Sequence, residues 1–62
     1  MEKVYMKSEI VQMIEDMKTE ERIDCDVFCE RNMGAANYAR RYDSLMILNT
    51  LNAVLYRLDA LN

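Results

Sequence analysis

The chain contains no histidine, no proline and no tryptophan, a single glycine (Gly34), and two cysteines. Each absence removes a class of function. Without histidine the commonest general acid–base is missing, and neither Ser8 nor Ser44 sits in a nucleophile-elbow pattern. One glycine cannot build a phosphate-cradling loop. Two cysteines cannot form a disulfide framework, nor close a four-ligand zinc site within one chain without histidine. Adjacent acids such as Glu15 and Asp16, or Glu20 and Glu21, point away from each other on a helix. The inventory therefore predicts a protein that is not an enzyme and that needs no cofactor.

Long hydrophobic runs are missing as well. No apolar stretch approaches the ~20 residues needed to cross a bilayer, and Met1–Lys7 lacks the apolar block of a signal peptide. The expectation is a cytoplasmic protein with no membrane association. At 62 residues and 52% hydrophobic, the chain is too apolar for disorder. It is also small enough that one core supplies only ~3–5 kcal/mol. A second copy of the chain is the expected extra source of stability, with another protein as the expected partner.

What is present reads as helix. Met6, Ile10, Met13, Ile14 and Met17 step by three and four and predict an amphipathic helix from Ser8 to Glu21. Here Ser8 is available as a cap, Glu9 suits the positive end of the dipole, and Met13 and Met17 read as core. Residues 19–34 are ambiguous. Ile23, Cys25 and Val27 alternate as in a strand, whereas Cys25, Phe28, Cys29 and Met33 fit a helical face. The favoured reading is a short helix from Asp24 or Asp26 to Met33, capped by either aspartate and ended by Gly34 in a left-handed conformation. The alternative is that the first helix runs on past Arg22.

From about Ala35 to Leu61 the pattern predicts a long helix of ~25 residues. Tyr38, Tyr42, Leu45 and Met46 open its stripe. Two seams follow, Ile47–Leu51–Val54–Leu58–Leu61 and Leu48–Leu51–Leu55–Leu58. One antiparallel helix covers one seam, which leaves the other for a further partner. The expected fold is all-α, a single domain spanning 1–62, built as a helical hairpin or three-helix bundle and paired as a homodimer. The expected dimer or partner interface is Leu48, Leu51, Val54, Leu55, Leu58 and Leu61. Asn52, between Leu48 and Leu55, is a candidate for fixing register.

Charge is divided between the halves. Residues 1–30 carry nine acidic and four basic side chains, and residues 31–62 four basic and two acidic. Two function-like clusters result. Tyr38, Arg40, Arg41 and Tyr42 offer cations beside aromatic faces, the pattern of an anion or nucleic-acid contact; the bland reading is tyrosines in the apolar stripe and arginines paired with the acidic half. A net charge of −3 argues against a dominant nucleic-acid role. Glu20, Glu21, Asp24 and Asp26 form a possible acidic partner surface able to mimic phosphates; the bland reading is a solvated helix face. Cys25 and Cys29, four apart, share a helical face, either as half of a metal or redox site completed by a second chain or as small buried hydrophobes. The leading functional expectation is a small protein-interaction module, a regulator or adaptor acting by binding alone. The rivals are a nucleic-acid-binding regulator and an acidic inhibitor of a nucleic-acid-binding protein.

Overall fold

The computed structural model describes residues 4–61. Met1, Glu2 and Lys3 of the N-terminal segment read above, and Asn62, lie outside them. Two antiparallel helices of equal length make up the fold, α1 (Lys7–Arg31) and α2 (Ala35–Asp59), each of 25 residues. At 1.5 Å per residue each is ~38 Å long. The expected long C-terminal helix is present, and the hairpin is the member of the two expected architectures that forms. The three-helix arrangement does not, because the middle segment belongs to α1.

That continuation overturns the short helix expected from Asp24 or Asp26. Nothing between Lys7 and Arg31 breaks a helix, so backbone donors at Asp24 and Asp26 are already satisfied by the preceding turn and no cap is needed there. The strand-like alternation of Ile23, Cys25 and Val27 has no neighbouring strand to complete it. On the helix it resolves into an inward Cys25 and outward Ile23 and Val27.

α1 opens without a side-chain cap. Met6 is the N-cap, and its carbonyl accepts from the amides of Glu9 and Ile10. Ser8 is therefore the second helical residue, not the cap. At the other end the Asn32 side-chain amide donates to the Phe28 carbonyl at 3.0 Å. The reversal is completed at Gly34, with φ 73° and ψ −138°. This is a positive-φ conformation, as expected of Gly34, but it stands at the N-cap of α2. Its carbonyl accepts the amide of Tyr38 at 3.2 Å.

The helices meet along a seam that mixes polar and apolar side chains. On α1 the inward positions run Lys7, Val11, Ile14, Lys18, Glu21, Cys25 and Cys29, and on α2 Asn37, Arg40, Ser44, Leu48, Leu51, Leu55 and Leu58; all are buried or half-buried. The steps of three and four are those of a two-stranded coiled coil. Among the described residues only Ile14, Cys25 and Cys29 are buried hydrophobic residues, and no side chain is fully buried. Lys18 lays its stem in the seam and brings its ammonium to 3.5 Å from Glu15.

The stripe of α1 therefore does not form the core expected of it. Ile14 is buried, but Met13 is 55% exposed and Met17 52%. On α2, Tyr38 and Tyr42 are exposed as well, not part of a buried stripe. Inward turns are decided by the partner helix, and α1 presents its lysine–glutamate–cysteine face to α2.

Candidate functional site

Three ties fix the register of the hairpin. Near the loop, the Asn37 side-chain amide donates to the carbonyls of Cys29 at 3.1 Å and Asn32 at 3.0 Å. Two carbonyls left open by the end of α1 are thereby satisfied from α2. The Asn37 oxygen in turn accepts from Arg41 Nε at 2.8 Å. Midway, Arg40 grips Glu21 with both terminal nitrogens, at 2.6 and 3.1 Å. At the open end, Lys7 Nζ stands 4.0 Å from the Asp59 carboxylate and 3.5 Å from its carbonyl oxygen.

The Arg40 grip lowers the pKa of the Glu21 carboxyl below its ordinary 4.5, with Ser44 adding a smaller effect, against the opposing cost of burial. The same bond raises the pKa of Arg40. These positions decide what the two charged clusters can present. Arg40 is committed to Glu21, whereas Arg41, bonded to Asn37 through Nε alone, is exposed. Tyr38 and Tyr42 are exposed on α2. Of the acidic group, Glu21 is held in the seam, while Glu20, Asp24 and Asp26 are exposed.

The cysteines face the helix interface. Their sulfurs are 4.0 Å apart and both thiols are free. Cys25 Sγ lies 4.0 Å from the Arg40 carbonyl oxygen and Cys29 Sγ 3.9 Å from that of Asn37. Burial pushes the Cys29 thiol up from its ordinary 9.0, and the bond with Cys25 pushes it further. The positive charge of Arg41 opposes this and is outweighed, so the thiolate is not favoured. Among the described residues no group of three or more cysteine, aspartate or glutamate side chains is placed to hold a metal ion. No helix among them is long and apolar enough to cross a membrane.

The six leucine and valine positions expected at an interface divide. Leu48, Leu51, Leu55 and Leu58 are half-buried on the face α2 turns to α1, whereas Val54 is 40% and Leu61 77% exposed. Ile47, from the neighbouring seam, is 43% exposed. Asn52 is exposed and outside the seam. Asn37 holds the register instead. Its signal in the sequence is its place three residues after the only glycine, where a side chain can reach back to the end of the preceding helix.

The two broad faces of the hairpin differ. One carries Arg22, Asp26 and Glu30 of α1 beside Arg41, Leu45 and Tyr38 of α2, which line two shallow clefts. Helical spacing places Ile10 and Met17 of α1 and Ile47 and Val54 of α2 on the other, with Met13 at its outer margin. That second face is an open apolar surface, with Met17, Ile47 and Val54 exposed and Ile10 half-buried.

No protein-family model, curated protein or solved structure matches this chain.

Proposed function

We propose that this chain is a non-catalytic protein-interaction module that works as a self-associated helical hairpin. The observation that carries the reading is surface left over after folding. A compact monomer of 7.3 kDa exposes about 4,200 Å², and this hairpin exposes 5318 Å². The excess of about 1,100 Å² is comparable to the ~800 Å² that each partner contributes to a standard interface. The radius of gyration agrees, at 14.8 Å against about 10.6 Å for a compact chain of this length. Three buried apolar residues cannot offset the conformational entropy of ordering two 25-residue helices. Covering the open apolar face supplies the missing burial.

Binding would then draw its affinity from methionine, isoleucine and valine, and its specificity from exposed Glu20, Asp24 and Asp26 between the middle of α1 and the loop. Light scattering on a sizing column, over a dilution series under reducing conditions, tests the reading. A mass of two chains that persists to low micromolar concentration is expected. A folded single chain at every concentration overturns self-association.

A further inference from the structure

The open apolar face has an internal symmetry. On α1 it runs Met6, Ile10, Met13, Met17. Its spacing of four, three and four is the same from either end, with its centre between Val11 and Gln12. On α2 it runs Ile47, Val54, Leu61, two steps of seven, with its centre at Val54. The hairpin register brings the two centres together. Cys25 stands by Arg40, Cys29 by Asn37, and Lys7 by Asp59, so Val54 lies level with Val11 and Gln12. Met6 and Leu61 stand just beyond the helix ends, each held by backbone hydrogen bonds at its turn.

A two-fold interface requires that whatever residue i meets, its mate meets i. Two series sharing one centre meet that requirement with a single axis. We propose that the open face is occupied by a second copy of this chain, antiparallel to the first, on a two-fold axis passing Val54. Val54 meets the partner's Val54, Ile47 meets the partner's Leu61, Ile10 meets the partner's Met13 and Met6 meets the partner's Met17. α1 packs on the partner's α1 and α2 on its α2, giving a four-helix core across the open ends. This assignment rests on the self-association proposed above and specifies its face and direction.

Charge selects the antiparallel arrangement. The apolar run ends at Met17 on α1, and beyond it come Asp24 at the same helical spacing and the Glu21–Arg40 pair between the helices. In the antiparallel dimer these groups lie outside the overlap, at opposite poles, with Asp24 left in water and the ion pair left in its half-buried place between the helices. Stacking the copies with both loops at one end would bury the exposed Asp24 of both chains and remove the remaining exposure of both ion pairs, which is costly. The exposed acids Glu20, Asp24 and Asp26, between the middle of α1 and the loop, would then be displayed as two separated acidic patches.

Single introduced cysteines test the arrangement. Facing Cα atoms at the axis of two packed helices are ~4–6 Å apart, within disulfide range. Val54→Cys is oxidised beside the unmodified chain, whose buried native thiols set the background, and beside Leu45→Cys on the opposite face. The linked residues are identified by peptide mapping, and the fold is checked by circular dichroism. The majority of Val54→Cys is expected as a dimer linked through position 54, with Leu45→Cys at background. Should Val54→Cys misfold, Ile47→Cys combined with Leu61→Cys is read in the same way, and a 47–61 cross-link between chains is expected. A chain that is dimeric by light scattering but cross-links through Leu45→Cys, or through neither position, overturns this face and direction while leaving self-association standing. A folded monomer at all concentrations overturns both.

Discussion

Arg40 reaches across the hairpin and donates from both terminal nitrogens to the carboxylate of Glu21, at 2.6 and 3.1 Å, with side chains only 22% and 12% exposed. An ion pair inside a helix seam adds little net stability over an apolar pair of the same size, but breaking one partner strands the other charge. It works chiefly as a register pin, because slipping α2 by one turn would leave both groups unpaired in the seam.

Removing either partner alone therefore destabilises the fold, and reversing both, Glu21→Arg with Arg40→Glu, recovers part of the loss. Denaturant unfolding of the two single variants and the double variant measures the coupling. Additive losses would show that the pair does not act as a unit.

The lowered Glu21 pKa gives that pair a pH signature. Between the folded and unfolded values the unfolded chain binds the extra proton, so stability rises with pH there. The contribution is complete above the ordinary value of 4.5 and is lost as pH falls through the depressed folded value. The stability gap between the native chain and Glu21→Gln should be flat from about pH 5 to 7 and shrink below that range. A gap that widens on acidification contradicts the assignment.

Gly34 is required for its backbone alone. A side chain added there meets nothing within 4 Å, but φ is +73°. Gly34→Ala should cost about 1–3 kcal/mol in thermal or denaturant unfolding. A synthetic chain with D-alanine at this position should be at least as stable as the native one. Equal losses for both alanines would point to a steric cause instead.

Asn37→Ala strands the carbonyls of Cys29 and Asn32 and should cost about 1–3 kcal/mol. Asn37→Asp should be no better at neutral pH, since a carboxylate replaces the donor that faces two carbonyl oxygens. It should recover once the aspartate is protonated in acid, when one donor is restored.

Cys29 should resist alkylation at neutral pH far more than the same thiol in denaturant, because burial and the bond to Cys25 both disfavour its thiolate. Mass spectrometry after a timed iodoacetamide pulse reads this directly. Labelling of Cys29 as fast as in the unfolded chain would place it outside the helix interface.

The sequence by itself determined the helices and the reversal. An unbroken run without proline or glycine to Gly34, then a second run from Ala35, leaves the backbone one economical choice, since a helix satisfies its hydrogen bonds locally. It also determined that apolar surface would exceed what one hairpin covers, because the C-terminal helix carries two seams. Which seam turns inward was decided only by the tertiary structure. Met13 and Met17 are the more apolar side of α1, yet Lys18, Glu21 and Cys25 face α2. The choice depends on Glu21 finding Arg40 and Asn37 finding the end of α1, pairings between residues far apart in sequence whose distances no periodicity within one helix encodes. Once those polar ties set the register, Met13, Met17, Ile47 and Val54 are left on one open face.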